Sequence, residues 1–182
     1  MNKTVLILLF GLVQIGQGIA QSKYIARQGQ LTFFSYTSVE NIEASNNQVF
    51  SIVDLEKEAL AASMLMRAFV FKKALMQEHF NESYMESDIY PKASFEGNIL
   101  DFDISLPERQ TRIIDGKITI RGITQAIKIK TDFEHSGDAL VVSGSFMLNV
   151  ADFKIKIPPV VAGNIAKTIE VNFRFQYQPY EK

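Results

Sequence analysis

From Ile169 to Gln178 apolar and polar residues alternate without a break. Ile169, Val171, Phe173, Phe175 and Tyr177 form one set, and Glu170, Asn172, Arg174, Gln176 and Gln178 the other. Successive side chains of a pleated strand point to opposite faces, so this period of two predicts a β-strand with one dry and one wet side. The pattern recurs at Lys117–Arg121, where Ile118 and Ile120 are the apolar members, and around Ile127 and Ile129, which are interleaved with Lys128 and Lys130. Between them Gly122 to Gln125 reads as a hairpin connection. Leu140, Val142, Phe146, Leu148 and Val150 predict a longer strand in which Gly144 marks a bulge or bend. Further strands are expected at Leu31–Thr37, Gln48–Val53, Met64–Phe71 and Ala93–Phe102. Turns are expected at Ser45–Asn47 and at His135–Asp138, rich in residues that tolerate unusual backbone angles. Many strands at short spacing imply an all-β sandwich or barrel.

One stretch departs from this rhythm. Leu75, Met76, His79, Phe80 and Tyr84 fall at spacings of one, three and four, which predicts a short amphipathic helix within Lys72–Met85. Tyr90-Pro91 returns the chain to an extended conformation. Pro158, Pro159 and Gly163 mark a longer loop before the last strand.

The N-terminus carries Lys3, an apolar run from Val5 to Val13, and small residues Gly18 and Ala20 ahead of Gln21. A run of about ten apolar residues is too short to span a bilayer as a helix. The pattern predicts a signal peptide, Met1–Ala20, cleaved to leave residues 21–182 as one domain in the periplasm or outside the cell. The chain has no cysteine. It therefore has no disulfide, no thiolate nucleophile and no lipid-modified cysteine, and its core alone must stabilise the fold. The net charge is −1 with charges interspersed, which offers no basic face for nucleic acid or an anionic membrane.

Candidates for catalysis are few. The two histidines, His79 and His135, lie far apart in sequence and neither has another His at metal-ligand spacing. A pairing of His79 with Glu78 or Glu82 on a helix is the one arrangement that could serve a weak hydrolase, and a packing role for His79 is the simpler reading. No Gly-rich phosphate loop or Gly-x-Ser-x-Gly elbow occurs. Asp101 and Asp103 share a strand face but read as solvated residues at a strand end. No metal, cofactor or catalytic residue is expected.

The chain is instead rich in aromatics, with 14 Phe and 6 Tyr but no Trp. In a barrel of about eight strands the interior is just wide enough either to fill with side chains or to hold one small ligand. Both readings follow from the same residues. The sharper one places Phe95, Ile118, Ile120, Ile127, Ile129, Phe146, Leu148, Val171, Phe173, Phe175 and Tyr177 around a dry slot, with Leu75, Met76, His79 and Phe80 at its mouth. The blander one makes them a packed core of a structural or stress-related barrel.

Four words along the chain resemble the YceI-like family of exported lipid-binding proteins. They are Met76 with Glu78-His79-Phe80, Tyr90-Pro91-Lys92-Ala93-Ser94-Phe95, Lys117-Ile118-Thr119-Ile120-Arg121-Gly122-Ile123-Thr124, and Asp152-Phe153. The resemblance runs from about Leu31 to Tyr177. It implies a closed, lipocalin-like antiparallel barrel of about eight strands that holds a polyisoprenoid, quinone-like or fatty chain for storage or transport, without catalytic residues. Gln77, Arg121 and Val150-Ala151 stand where the family carries an Arg, a His and a basic residue, which implies either a different preference for the ligand's head group or the absence of a ligand. An outer-membrane barrel would also alternate with a period of two. There Arg121, Lys128, Lys130 and Arg174 would face lumen or lipid, so a soluble barrel with charges outward and no stable membrane insertion fits better. The oligomeric state is open, a dimer included.

Overall fold

Among the described residues the alternation is realised as nine strands that wrap into a closed barrel. The computed structural model describes residues 22–106 and 108–180, so the expected signal peptide lies outside the described residues. The strands are β1 (Lys23–Tyr36), β2 (Asn41–Asp54), β3 (Ala59–Leu65), β4 (Val70–Phe71), β5 (Lys92–Ile99), β6 (Gln110–Ile120), β7 (Ile123–Ser136), β8 (Ala139–Asn149) and β9 (Thr168–Pro179). Their order is β1-β9-β8-β7-β6-β5-β3-β2, and a β1–β2 ladder closes the ring. All pairings are antiparallel, and the two-residue β4 adds to β2 beside Ala44 and Ser45. The barrel proper thus has eight strands, with the β7–β8 seam laddered only between Thr131–Ser136 and Ala139–Gly144.

Register carries the dry face of each strand to the inside. Ile118 pairs with Phe95, Val171 with Phe146, Phe175 with Val142 and Tyr177 with Leu140, and directly opposed residues share a face. Exposed Lys128, Lys130 and Arg174 occupy the outer positions between them.

Several local expectations are corrected. Ser45–Asn47 is not a turn but lies inside β2, at a register shift against β1. Asn46 is fully buried there; its Nδ2 donates to the Leu65 carbonyl at 3.0 Å and its Oδ1 accepts from the Gln48 N–H at 2.8 Å. The side chain thus supplies the pairing that the irregular ladder lacks. The expected Met64–Phe71 strand is really the end of β3, a 3₁₀ turn at Met66–Ala68 and β4. β5 stops at Ile99, short of Phe102, so Asp101 and Asp103 lie in the following loop. The β6–β7 connection is only Arg121-Gly122, both with positive φ (51° and 72°). This is the type I′ geometry that suits the twist of a two-residue hairpin, and Ile123 to Gln125 already belong to β7. At Gly144 the ladder to β9 runs on without a shift, so there is no bulge against that strand, while the ladder to β7 ends there. The glycine also allows close approach, since a Cβ there would lie 2.9 Å from the Phe173 ring and 2.7 Å from the Lys130 carbonyl oxygen.

The helical insertion is shorter than expected. A helix α1 (Ala74–His79) widens into a π-type turn over Phe80–Tyr84. Among the described residues no helix is long and apolar enough to cross a membrane.

A cavity above an aromatic floor

Inside the barrel the two ends differ. In one half the inward residues interlock. Tyr177, Phe133, Ile99, Ile114, Leu140, Val49, Val53 and Val142 are all essentially inaccessible. Tyr177 is anchored through its hydroxyl, 2.6 Å from Ser51 Oγ. Because Ser51 spends its own proton on the Ala61 carbonyl at 2.7 Å, the tyrosine must be the donor in that pair. Burial raises the Tyr177 pKa far above the ordinary tyrosine value.

The other half holds a cavity of about 450 Å³. Its walls are the inward residues of the strands at that end, including Leu31, Phe33, Met64, Ala93, Ile118, Ile120, Phe146, Leu148, Ile169 and Val171. Its cover has two parts. One is the helical insertion, which contributes Leu75, Met76, His79, Phe80, Tyr84 and Met85; the other is the segment after β8, which contributes Val150, Phe153, Ile155, Ile157, Val161, Asn164 and Ile165.

The first part of the cover is held by aromatic packing. The Phe80 ring sits 5.6 Å from Phe33, 5.5 Å from Phe69 and 5.0 Å from Phe71. Pairs of this kind add about 0.5–1.5 kcal/mol each beyond simple burial. Gln77 accepts the Phe71 N–H through Oε1, and Lys73 reaches Glu40 in the β1–β2 connection at 2.5 Å. The second part is tied down by Arg121 and Ser35. Arg121 donates to the Lys154 carbonyl at 2.8 Å, pairs with Glu86 at 2.6 Å and lies 6.0 Å from the centre of the Tyr90 ring. Ser35 Oγ accepts the Ala166 N–H at 2.8 Å. Arg121 is therefore neither a lumen nor a lipid-facing charge. It joins the β6–β7 turn to both halves of the cover.

The polar residues that line the cavity are Ser35, Glu40, Lys73, His79, Tyr84 and Asn164, at the end where the cover closes it. Burial raises the Tyr84 pKa. Glu78 and Glu82 line a separate surface depression with Arg67 and Asn81, whereas His79 lines the apolar cavity. The acids and the histidine do not share a cavity. Among the described residues no group of His, Asp and Glu side chains could hold a metal ion.

The sequence-predicted pocket thus divides. Ile118, Ile120, Phe146, Leu148 and Val171 line the cavity together with Leu75, Met76, His79 and Phe80. Phe95, Ile127, Ile129, Phe173, Phe175 and Tyr177 share the inward face but belong to the packed interior away from the cavity. Sequence reasoning missed the contribution of residues 150–165, where Phe153, Ile155 and Ile157 alternate with Lys154 and Lys156 but join no strand. It also missed Met66 and Phe69, which lie at or just after a 3₁₀ turn.

A closed eight-stranded antiparallel barrel with an apolar internal cavity and a helical cover is the architecture of lipocalin-like binding folds. Comparison with known proteins places this one more closely. Residues 23–177 match the YceI-like domain, and the chain belongs to the YceI-like family. Among solved structures it is similar to a polyisoprenoid binding domain from Saccharophagus degradans implicated in plant cell wall breakdown (TM-score 0.74, 12% identity, covering 88% of this chain and 99% of that one). It is similar also to BcnA of Burkholderia cenocepacia (TM-score 0.69, 14% identity, 81% and 95% covered) and to the YceI protein of Campylobacter jejuni (TM-score 0.67, 12% identity, 80% and 90% covered). At these identities the likeness is one of fold. No curated protein sequence matched the chain.

Proposed function

We propose that this chain is an exported binding protein that holds the apolar part of an amphiphile, an isoprenoid, quinone-like or fatty chain, inside the barrel for storage or transport. The observation that carries the reading is the cavity of about 450 Å³ lined almost entirely by aliphatic and aromatic side chains, with its polar residues confined to the mouth. Such a volume lies within the range of about 300–1,000 Å³ of small-molecule sites. Each methylene moved from water into it contributes about 0.8 kcal/mol. The ligand's chain would lie against Ile118, Ile120, Phe146, Leu148 and Val171, and its polar end would sit among Lys73, His79, Tyr84 and Asn164. Family membership and the likeness to a polyisoprenoid binding domain support a lipid ligand. The apolar run ahead of Gly18 and Ala20 supports export, and the exposed Lys128, Lys130 and Arg174 on the outer face support a barrel that stays out of the bilayer.

Mass spectrometry of organic extracts of the purified protein tests this directly. A single-chain amphiphile recovered in near-equimolar amount is expected. A protein that yields no lipid and takes up none when offered fatty acids would overturn it.

A further inference from the structure

The cavity lining ends partway along the barrel, so that lining Ile118 stands opposite Phe95 and lining Leu31 opposite Phe173. On β9 the lining stops after Val171, on β6 after Ile118 and on β5 after Ala93. The next inward residues are Phe173, Gly116 and Phe95. The floor is built from phenyl rings seated on glycines, Phe95 on Gly97 of its own strand and Gly116 of β6, and Phe175 on Gly29 of β1. A Cβ on Gly116 would lie 2.7 Å from the tip of the Phe95 ring, and one on Gly97 2.9 Å from the same atom. A Cβ on Gly29 would overlap the Phe175 ring. Phe95 and Phe175 are both buried, and Phe175 packs in turn on Phe173 (5.3 Å) and Tyr177 (6.0 Å). Interiors packed in this way leave no void a further chain carbon could enter.

We propose that the barrel is a chain-length ruler, taking one apolar chain of about fifteen carbons and burying nothing beyond that. The figure follows from the volume of about 450 Å³, with a methylene counted as about the size of a water molecule, whose share of liquid volume is ~30 Å³. A saturated chain, or about three isoprene units, fills this space. A longer polyisoprenoid would have to leave its remaining units outside the mouth. This length limit rests on the binding proposed above, and adds to it a stop whose position is set by Phe95 on β5.

The test uses saturated fatty acids of about eight to about twenty carbons, below their micellar concentrations, displacing a fluorescent probe from the protein. Affinity is expected to rise about fourfold per methylene up to about fifteen carbons and then level off. Phe95→Ala should move the break to chains longer by about four carbons, roughly the volume of the ring at interior packing density. Ala93→Leu, which raises the floor from above, should move it to chains shorter by about three. Circular dichroism establishes that each variant is folded, and the wild-type profile stands as a test without them. Affinity that keeps rising to about twenty carbons overturns the ruler and leaves binding intact. A break that neither folded variant moves places the stop elsewhere and overturns the role of this floor. Absence of binding at every length overturns the binding proposal and the ruler with it.

Discussion

Replacing Gly29 by alanine isolates the steric logic of the packed half of the barrel in a single methyl group. Gly29 has no positive φ, so its backbone would accept a side chain. Outside this site the change would even be favourable, by about 0.4–1 kcal/mol, through the restricted unfolded chain. In the barrel the new methyl would overlap Phe175 Cδ1, lie 2.6 Å from Cε1 and stand 3.1 Å from the Val49 carbonyl oxygen. The ring is braced by Phe173 and Tyr177, and the carbonyl belongs to the β1–β2 ladder. Overpacking of this kind costs about 1–3 kcal/mol, leaving a net destabilisation of about 1–2 kcal/mol after the unfolded-state gain. Urea denaturation should show a lower midpoint at an unchanged slope. In a Phe175→Leu background the same Gly29→Ala change should be nearly neutral, so the double-mutant cycle should give a coupling of about 1 kcal/mol or more. A neutral or stabilising Gly29→Ala in the wild-type background, or an additive cycle, would refute the reasoning that these glycines exist to seat the rings.

Tyr177→Phe removes one buried hydrogen bond but leaves Ser51 donating to Ala61, so it should lower stability by about 1 kcal/mol in thermal or urea unfolding. Its effect should also depend on pH. The folded-state pKa of Tyr177 is raised from 10.0 mainly by burial, so below that value both states keep the proton and the wild type retains its full stability. As pH rises above 10 only the unfolded state ionises freely, and stability falls. The Phe variant should flatten this alkaline fall without abolishing it, because Tyr24 and Tyr84 are shifted the same way; an unchanged alkaline profile would count against the burial argument. For the cavity, Phe146→Glu should eliminate lipid from the organic extracts, since an unpaired carboxylate against an apolar chain costs several kcal/mol. Lys128→Glu, an exposed change opposite Asp115 at 3.3 Å, should leave lipid retention intact and alter stability by less than about 1 kcal/mol. Equal lipid content in the two variants would show that Phe146 does not face the ligand.

How far the fold was legible in the sequence differs from element to element. Where a strand alternates, local pattern suffices: Ile169 to Tyr177 and Ile118 with Ile120 face inward as their period requires. The helical insertion was legible from the spacing of Leu75, Met76, His79 and Phe80, all four of which line the cavity. Asn46 was misread because a buried asparagine that pairs with backbone across a bulge has the same composition signal as a turn. At Gly144, where β8 parts from β7, the close approach of the Phe173 ring could not be read in one dimension.

What the sequence by itself determined is which side of each strand is dry, because a two-residue period is a property of neighbouring residues along the chain. It could not say which dry residues would close on one another and which would face an empty space. Phe95 meets Gly116, and Phe175 meets Gly29, only because register brings β5 against β6 and because closure of the ring carries β1 up to β9. Phe95, Phe175 and Tyr177 were therefore indistinguishable in the sequence from Phe146 and Val171, yet the former make the floor and packed end while the latter line the cavity. The cover from Val150 to Ile165 was not legible as a cover. Phe153, Ile155 and Ile157 alternate with Lys154 and Lys156 as a strand would but join no strand, and the segment lies over the mouth because Arg121 and Ser35 pin it there. Facing is thus decided locally, but filling is decided by contacts between residues far apart in the chain, and the difference between a core and a cavity is a difference in filling.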